Sequence, residues 1–300
     1  MGEDLYKKYS FVRELFQKAS DNLGTDFAEL CFKGPLDVLT RTDNVQPAVT
    51  LINAVCYEVL QDSGIKPSAA AGHSLGEYSA LYAAGVMEFT TLMSLVSSRG
   101  RFMQEAAEKN PGGMLAVMGL EIEKIKQLCE DVRENGSVEI ANINSPGQVI
   151  LSGEKQALDE VRVLAKKEKA KLVVPLKVSG PWHSKFMVAA QKRMAAVIDD
   201  HPFKEASIPV MANVTAEYES SPGQIKTNLI SQITSPVLWS DSITKLINDG
   251  YTKFVETGPK KVLRGIMKGI SKKVEILNVE DADSLRNMRE VLAANFLSSQ

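Results

Sequence analysis

Lys66–Met87 reads KPSAAAGHSLGEYSALYAAGVM. A run of small residues leads into Gly72-His73-Ser74-Leu75-Gly76, and Glu77 onward has helical texture. This is G-x-S-x-G between an extended segment and a helix, the context of a nucleophile elbow. Such a turn holds a serine on strained backbone at the tip of a strand. Both flanking glycines are expected to be required, because side chains there would clash. The helix that follows aims its first N–H groups at the serine, which favours a developing oxyanion. Taken alone, the motif also fits an idle serine on a glycine-rich turn.

The pattern on either side of this stretch suggests an α/β protein. Upstream, residues 1–40 read as helices with loops, and Gln46–Gly64 predicts a helix with Pro47 near its start. Downstream, a helix is expected over Thr90–Lys109. The texture changes after Pro111-Gly112-Gly113. Short apolar runs at 114–118, 138–142, 148–152 and 171–176 alternate with amphipathic stretches at 121–134 and 154–168. That β-α-β-β-α-β order is the ferredoxin-like pattern. It predicts a small domain at 111–177 inserted in a larger one formed by 1–110 and 178–300. The larger part alternates helix and strand (strands at 209–212 and 253–256), which implies a hydrolase-like, largely parallel sheet.

Composition excludes several classes. Of 300 residues, 35 are Lys or Arg and 37 Asp or Glu, a net charge of −2, so nothing draws the chain to nucleic acid or to an anionic membrane. No apolar run reaches the ~18 residues of a membrane span. Three widely spaced cysteines, Cys31, Cys56 and Cys129, make neither a disulfide framework nor a zinc cluster. MGEDLYKKYS has no apolar signal-peptide core. The expectation is a reduced, cytoplasmic, monomeric protein without metal or redox cofactor.

Only three histidines can serve as a base. His73 adjoins the serine on a sharp turn and points elsewhere. His201, in DDHPF, reads as a solvated loop residue. His183, in SGPWHSKFM, follows the insert and precedes a helix, and it is the candidate base.

Four strings in order, GHSLGEYSA (72–80), RGRFMQEA (99–106), NSPGQVILSG (144–153) and SGPWHSKFM (179–187), together with Gln46-Pro47 and ETGPKKVLRGIMK (256–268), resemble the malonyl-CoA:acyl-carrier-protein transacylases of fatty acid synthesis. The acyltransferase domains of polyketide synthases share the pattern. The resemblance implies Ser74 as acylated nucleophile and His183 as its base, oriented by the backbone carbonyl of Gln232. It implies the Leu75 N–H in the oxyanion hole. Arg99, otherwise an ordinary helix arginine, becomes the partner of the malonyl carboxylate, a role suited to a guanidinium fork. Gln46 and His73 are counted with the substrate-binding residues. The implied partners are malonyl-CoA and an acidic acyl carrier protein. A trans-acting polyketide-synthase acyltransferase, a thioester hydrolase and a non-catalytic carrier-docking subunit are the alternatives.

One departure stands out. The family opens with a strand and a G-Q-G-x-Q loop whose second glutamine completes the oxyanion hole. No such string occurs here, and Met1-Gly2-Glu3-Asp4-Leu5-Tyr6 resembles the segment just beyond it. The expectation is lower activity and stability than in a chain extended upstream.

Overall fold

The computed structural model describes residues 1–297, with side chains through 291. Residues 298–300 of the expected large domain lie outside the described residues. Helices α1 (Glu3–Lys8), α2 (Ser10–Leu23), α3 (Phe27–Phe32) and α4 (Leu36–Leu39) open the chain, followed by α5 (Thr42–Asp62). Strand β1 (Ala70–Ala71) leads through the elbow into α6 (Gly76–Ala83) and then α7 (Phe89–Lys109). Next come β2 (Gly113–Met118), α8 (Ile122–Asp131), β3 (Val138–Ser145), β4 (Gln148–Gly153), α9 (Lys155–Lys167) and β5 (Leu172–Pro175). The chain continues with α10 (Val188–Asp200), β6 (Val210–Met211), β7 (Tyr218–Glu219), α11 (Pro222–Gln232) and α12 (Trp239–Asn248). It ends with β8 (Lys253–Thr257), α13 (Val262–Met267), β9 (Glu275–Val279) and α14 (Ala282–Leu297).

Strands β2 to β5 form one antiparallel sheet in the order β3-β4-β2-β5, the ferredoxin-like arrangement. The alternation of Leu115, Val117, Val149, Leu151 and Val173 puts one face against α8 and α9, and these residues make a core separate from the main one. The opposite face, with Met114, Ala116, Ala141 and Ile150, packs near Trp182. Backbone bonds tie the insert down: the Ile143 N–H donates to Val237 O and the Val237 N–H to Ala141 O, each 2.9 Å.

The large part is less continuous than the sequence suggests. β1 pairs in parallel with β6, and β8 with β9, but these pairs lie in two separate sheets, and β7 joins β6 antiparallel. β1 is two residues long because Pro67 precedes it and the elbow cuts it off. A cavity of about 380 Å³, lined by residues 69–72 and 253–257 with Tyr57, Ile243 and Leu263, separates the two parallel pairs. Helix α5 starts at Thr42, four residues earlier than expected, so Pro47 lies inside it. α7 packs along α5, and their apolar faces supply much of the main core.

The two elbow glycines behave differently. A Cβ on Gly72 would sit 1.9 Å from the Gly76 carbonyl oxygen, whereas a Cβ on Gly76 would meet nothing within 4 Å. The turn therefore requires glycine at 72 only, because the chain folds back onto that residue's side. Gly72→Ala is expected to lower stability by about 3 kcal/mol or more. Gly76→Ala, at the start of a helix, should be neutral or stabilising within about 1 kcal/mol. Thermal unfolding of the two variants checks this, and equal losses would contradict it.

Candidate active site

Ser74 and His183 are both held at positive φ, 52° and 57°. Non-glycine residues adopt this region rarely, and strain of this kind persists only where surrounding bonds hold it. At Ser74 those bonds come from two amide side chains. The Ser74 N–H donates to Asn213 Oδ1 at 2.7 Å, and the Ser74 carbonyl accepts from Gln232 Nε2 at 2.9 Å. The hydroxyl is left facing the imidazole, with Ser74 Oγ 2.7 Å from His183 Nε2.

The loop carrying His183 runs from β5 to α10 and is pinned at several points. Ser179 Oγ meets Thr42 Oγ1 at 2.8 Å, Ser184 Oγ donates to Pro181 O, and the Lys185 N–H donates to Glu139 Oε2. His183 Nδ1 lies 2.8 Å from the Gln232 carbonyl. A carbonyl can only accept, so Nδ1 carries the proton and Nε2 presents its lone pair to Ser74. Burial, reinforced by the nearby Arg99 charge, lowers the His183 pKa to about 3. The imidazole is therefore neutral and ready to accept a proton across the ordinary pH range.

Its effect on stability has a definite sign. The unfolded state binds the proton near the usual histidine value and the folded state does not. This contribution is full above about pH 6.5 and is lost as pH falls toward 3. For activity, the acid limb of kcat/KM is expected to show no inflection near 6.5. A pH–rate profile with an ionisation at that value would mean His183 is not the buried base described here.

Arg99 projects from the middle of α7 and is 2% exposed. Its Nη1 donates to Gln46 Oε1 at 2.7 Å, and its Nη2 to Ser74 Oγ and Gln232 Oε1, each at 3.0 Å. None of these partners is a carboxylate, and its Nε has no partner. The guanidinium also lies 5.7 Å from the Tyr78 ring. A buried cation with no bonded anion is costly, so this side chain is poised for one. Gln46, on α5, holds the far side of the fork and donates from Nε2 to Met103 Sδ.

The structure thus brings Ser74, His183, Gln232, Arg99 and Gln46 together. The Leu75 N–H, on the residue after Ser74, has no acceptor among the described residues. His73 stands apart from the cluster: its Nε2 lies 2.8 Å from Asn144 Oδ1 and its ring packs edge-on against Trp239. Burial lowers its pKa. His201 is not a free loop residue, since its Nδ1 lies 2.8 Å from Val197 O at the end of α10.

Three groups in the cluster are not announced by the sequence. Asn213, just after β6, anchors the Ser74 N–H. Glu77, in the first turn of α6, reads in sequence as an ordinary acid at a helix start. It is in fact fully buried and accepts from Asn213 and Gln232. The only advance signal was its adjacency to the elbow. The side chain of Gln232 was missed as well, since the sequence reading used only its carbonyl.

Comparison with known proteins now settles the family. The acyl transferase domain description matches residues 1–298. The chain belongs to the acyl transferase family. It is 40% identical over 286 residues to the malonyl CoA-acyl carrier protein transacylase of Bacillus subtilis, covering 95% of this chain and 90% of that protein. The crystal structure of an acyl carrier protein S-malonyltransferase from Vibrio cholerae superposes with a TM-score of 0.92 at 39% identity, covering 96% of this chain and 94% of that one. A malonyl-transacylase solved in complex with its type II PKS acyl-carrier protein gives 0.92 at 37%, covering 95% and 93%.

Proposed function

We propose that this acyl transferase moves the malonyl group of malonyl-CoA to the phosphopantetheine thiol of acyl carrier protein, supplying extender units for fatty acid synthesis in the cytoplasm. The observation that carries the reading is Arg99: a buried guanidinium with no carboxylate partner, 3.0 Å from the hydroxyl of a Ser–His pair. A fork in that position suits an acyl chain that ends in a carboxylate. The names of the relatives support the same substrate and partner. The unpaired cysteines suit a reducing compartment, and the chain acts as a monomer.

The chemistry runs in two halves. Ser74 Oγ attacks the thioester carbonyl as His183 Nε2 takes its proton. The oxyanion forms toward the Leu75 N–H. Collapse breaks the C–S bond, and His183 returns the proton to the CoA thiolate, leaving malonyl-Ser74. In the second half the pantetheine thiol gives its proton to His183 and its sulfur attacks the ester. Ser74 leaves as an alkoxide and recovers the proton. Throughout, the Gln232 carbonyl stabilises the imidazolium through Nδ1–H, the part an aspartate takes in other triads.

Intact-mass measurement tests this directly. Malonyl-CoA is expected to add one malonyl group to the wild-type chain, and holo-acyl carrier protein to remove it. Loss of the group to water at the same rate without carrier protein would identify a hydrolase instead.

A further inference from the structure

Glu77 takes no part in the proton transfers above, yet the site closes around it. Its side chain is fully buried. Each of its two oxygens accepts from a different element: Oε1 from the Asn213 N–H at 3.2 Å, and Oε2 from Gln232 Nε2. Both partners in turn grip the elbow. Asn213 accepts the Ser74 N–H through Oδ1 and donates to the Gly72 carbonyl through Nδ2, each at 2.7 Å. Gln232 donates to the Ser74 carbonyl and accepts from Arg99 Nη2. One carboxyl group thus braces the Asn213 backbone and the Gln232 side chain, and the side chains of these two residues fix the backbone on both sides of Ser74.

Hydrogen-bond polarity makes Glu77 hard to replace. Arg99 offers only donors, so Gln232 must turn Oε1 toward it and Nε2 toward Ser74 and Glu77. The Asn213 backbone also offers a donor. The residue at 77 therefore meets a donor at each side-chain terminus, which two oxygens suit and an amide, with its NH2 group, does not.

We propose that Glu77 is a positioning residue for acyl transfer, holding Asn213 and Gln232 so that the Ser74 backbone keeps its left-handed conformation with the hydroxyl facing His183. The proposal rests on the reading of Ser74 as the acylated nucleophile. A second buried carboxylate, Glu219, allows a control. It accepts from Asn228 through Oε2 and hydrogen-bonds neither Asn213 nor Gln232. Burial raises the pKa of both acids, and that of Glu77 is raised further by Glu219. A general effect of a buried acid would therefore show at either position.

The test uses full-length wild type, E77Q, E77D and E219Q. Single-turnover acylation of Ser74 by malonyl-CoA is followed by intact mass, separating the rate constant per reactive site from the fraction of sites that react. Labelling by a serine-directed fluorophosphonate is timed in parallel. E77Q is expected to keep its reactive fraction while its rate per site falls about 30-fold, the order of two weakened hydrogen bonds. E77D, a carboxylate that reaches one partner, should fall about fivefold, and E219Q should stay within about twofold of wild type. An E77Q rate per site within twofold of wild type, a loss confined to the reactive fraction, or an equal loss in E219Q would overturn the proposal. If E77Q does not fold, E77D decides by the same measure, and a wild-type rate there overturns it. Should malonyl-CoA leave wild-type Ser74 unmodified while the fluorophosphonate labels it, the substrate reading fails, and the labelling rates alone decide on Glu77.

Discussion

Replacing Ser74 with alanine is expected to end acyl-enzyme formation altogether. The malonyl group has no other carrier at the site. Cys56 is fully buried, and burial pushes its thiol up to about 12, so it offers no thiolate at neutral pH. His183→Ala should leave a slow residual reaction, since positioned base catalysis contributes typically 10²–10⁴-fold. The residue would come from the helix terminus and the Leu75 N–H, which both variants retain. Intact mass after malonyl-CoA addition reads the first variant, and steady-state transfer to holo-acyl carrier protein the second. A malonyl adduct on Ser74→Ala, or a near-normal rate for His183→Ala, would show that the pair 2.7 Å apart is not the reacting pair.

Arg99→Ala should reverse selectivity. In the wild type the guanidinium is buried and hydrogen-bonds no carboxylate, so a malonyl carboxylate entering the site completes a bonded charge pair. Without Arg99 that carboxylate is buried alone, a penalty of about 3–5 kcal/mol, or between roughly 10² and 10³·⁵ in rate ratio. Acetyl-CoA brings no charge and escapes the penalty. Competition between the two thioesters measures the ratio directly. The variant also frees Gln46 Oε1 and Gln232 Oε1, so some loss of absolute rate is expected with both substrates. An unchanged malonyl-to-acetyl ratio would reduce Arg99 to a structural brace.

What could be read in advance follows from the range of the interactions. The insert was legible because its pattern is local: alternating apolar residues over four short strands, a tight turn at Ser145–Gln148, and two amphipathic helices. The elbow was legible because its chemistry sits in five consecutive residues. Gly76 was misjudged, since whether a Cβ clashes depends on which way the chain folds over it, and only Gly72 is overhung. The large sheet was overestimated because helix–strand alternation says nothing about whether parallel pairs join. β9 and α14 were not anticipated from the charged tail of the chain. Asn213 and Glu77 belong to contacts across well over a hundred residues. Nothing in a stretch such as MANVTAEYES announces such a partner.

The position of the insert also bears on how quickly the site assembles. The Ser74–His183 contact closes a loop of 109 residues, and the insert lies wholly within it. Once its sheet has formed, Leu115 and Pro175 are registered partners. The chain between them drops out of the loop, roughly halving its effective length, which lowers the closure entropy by about 0.6 kcal/mol. All of the insert's strand pairings lie within residues 113–175 and it has a core of its own, so it can form before the longer bonds across the site. The bonds from Ser74 to Asn213 and Gln232 span 139 and 158 residues and come late. On dilution from denaturant, far-ultraviolet ellipticity should recover first, and the ability of Ser74 to take an acyl group should return in a slower phase of its own.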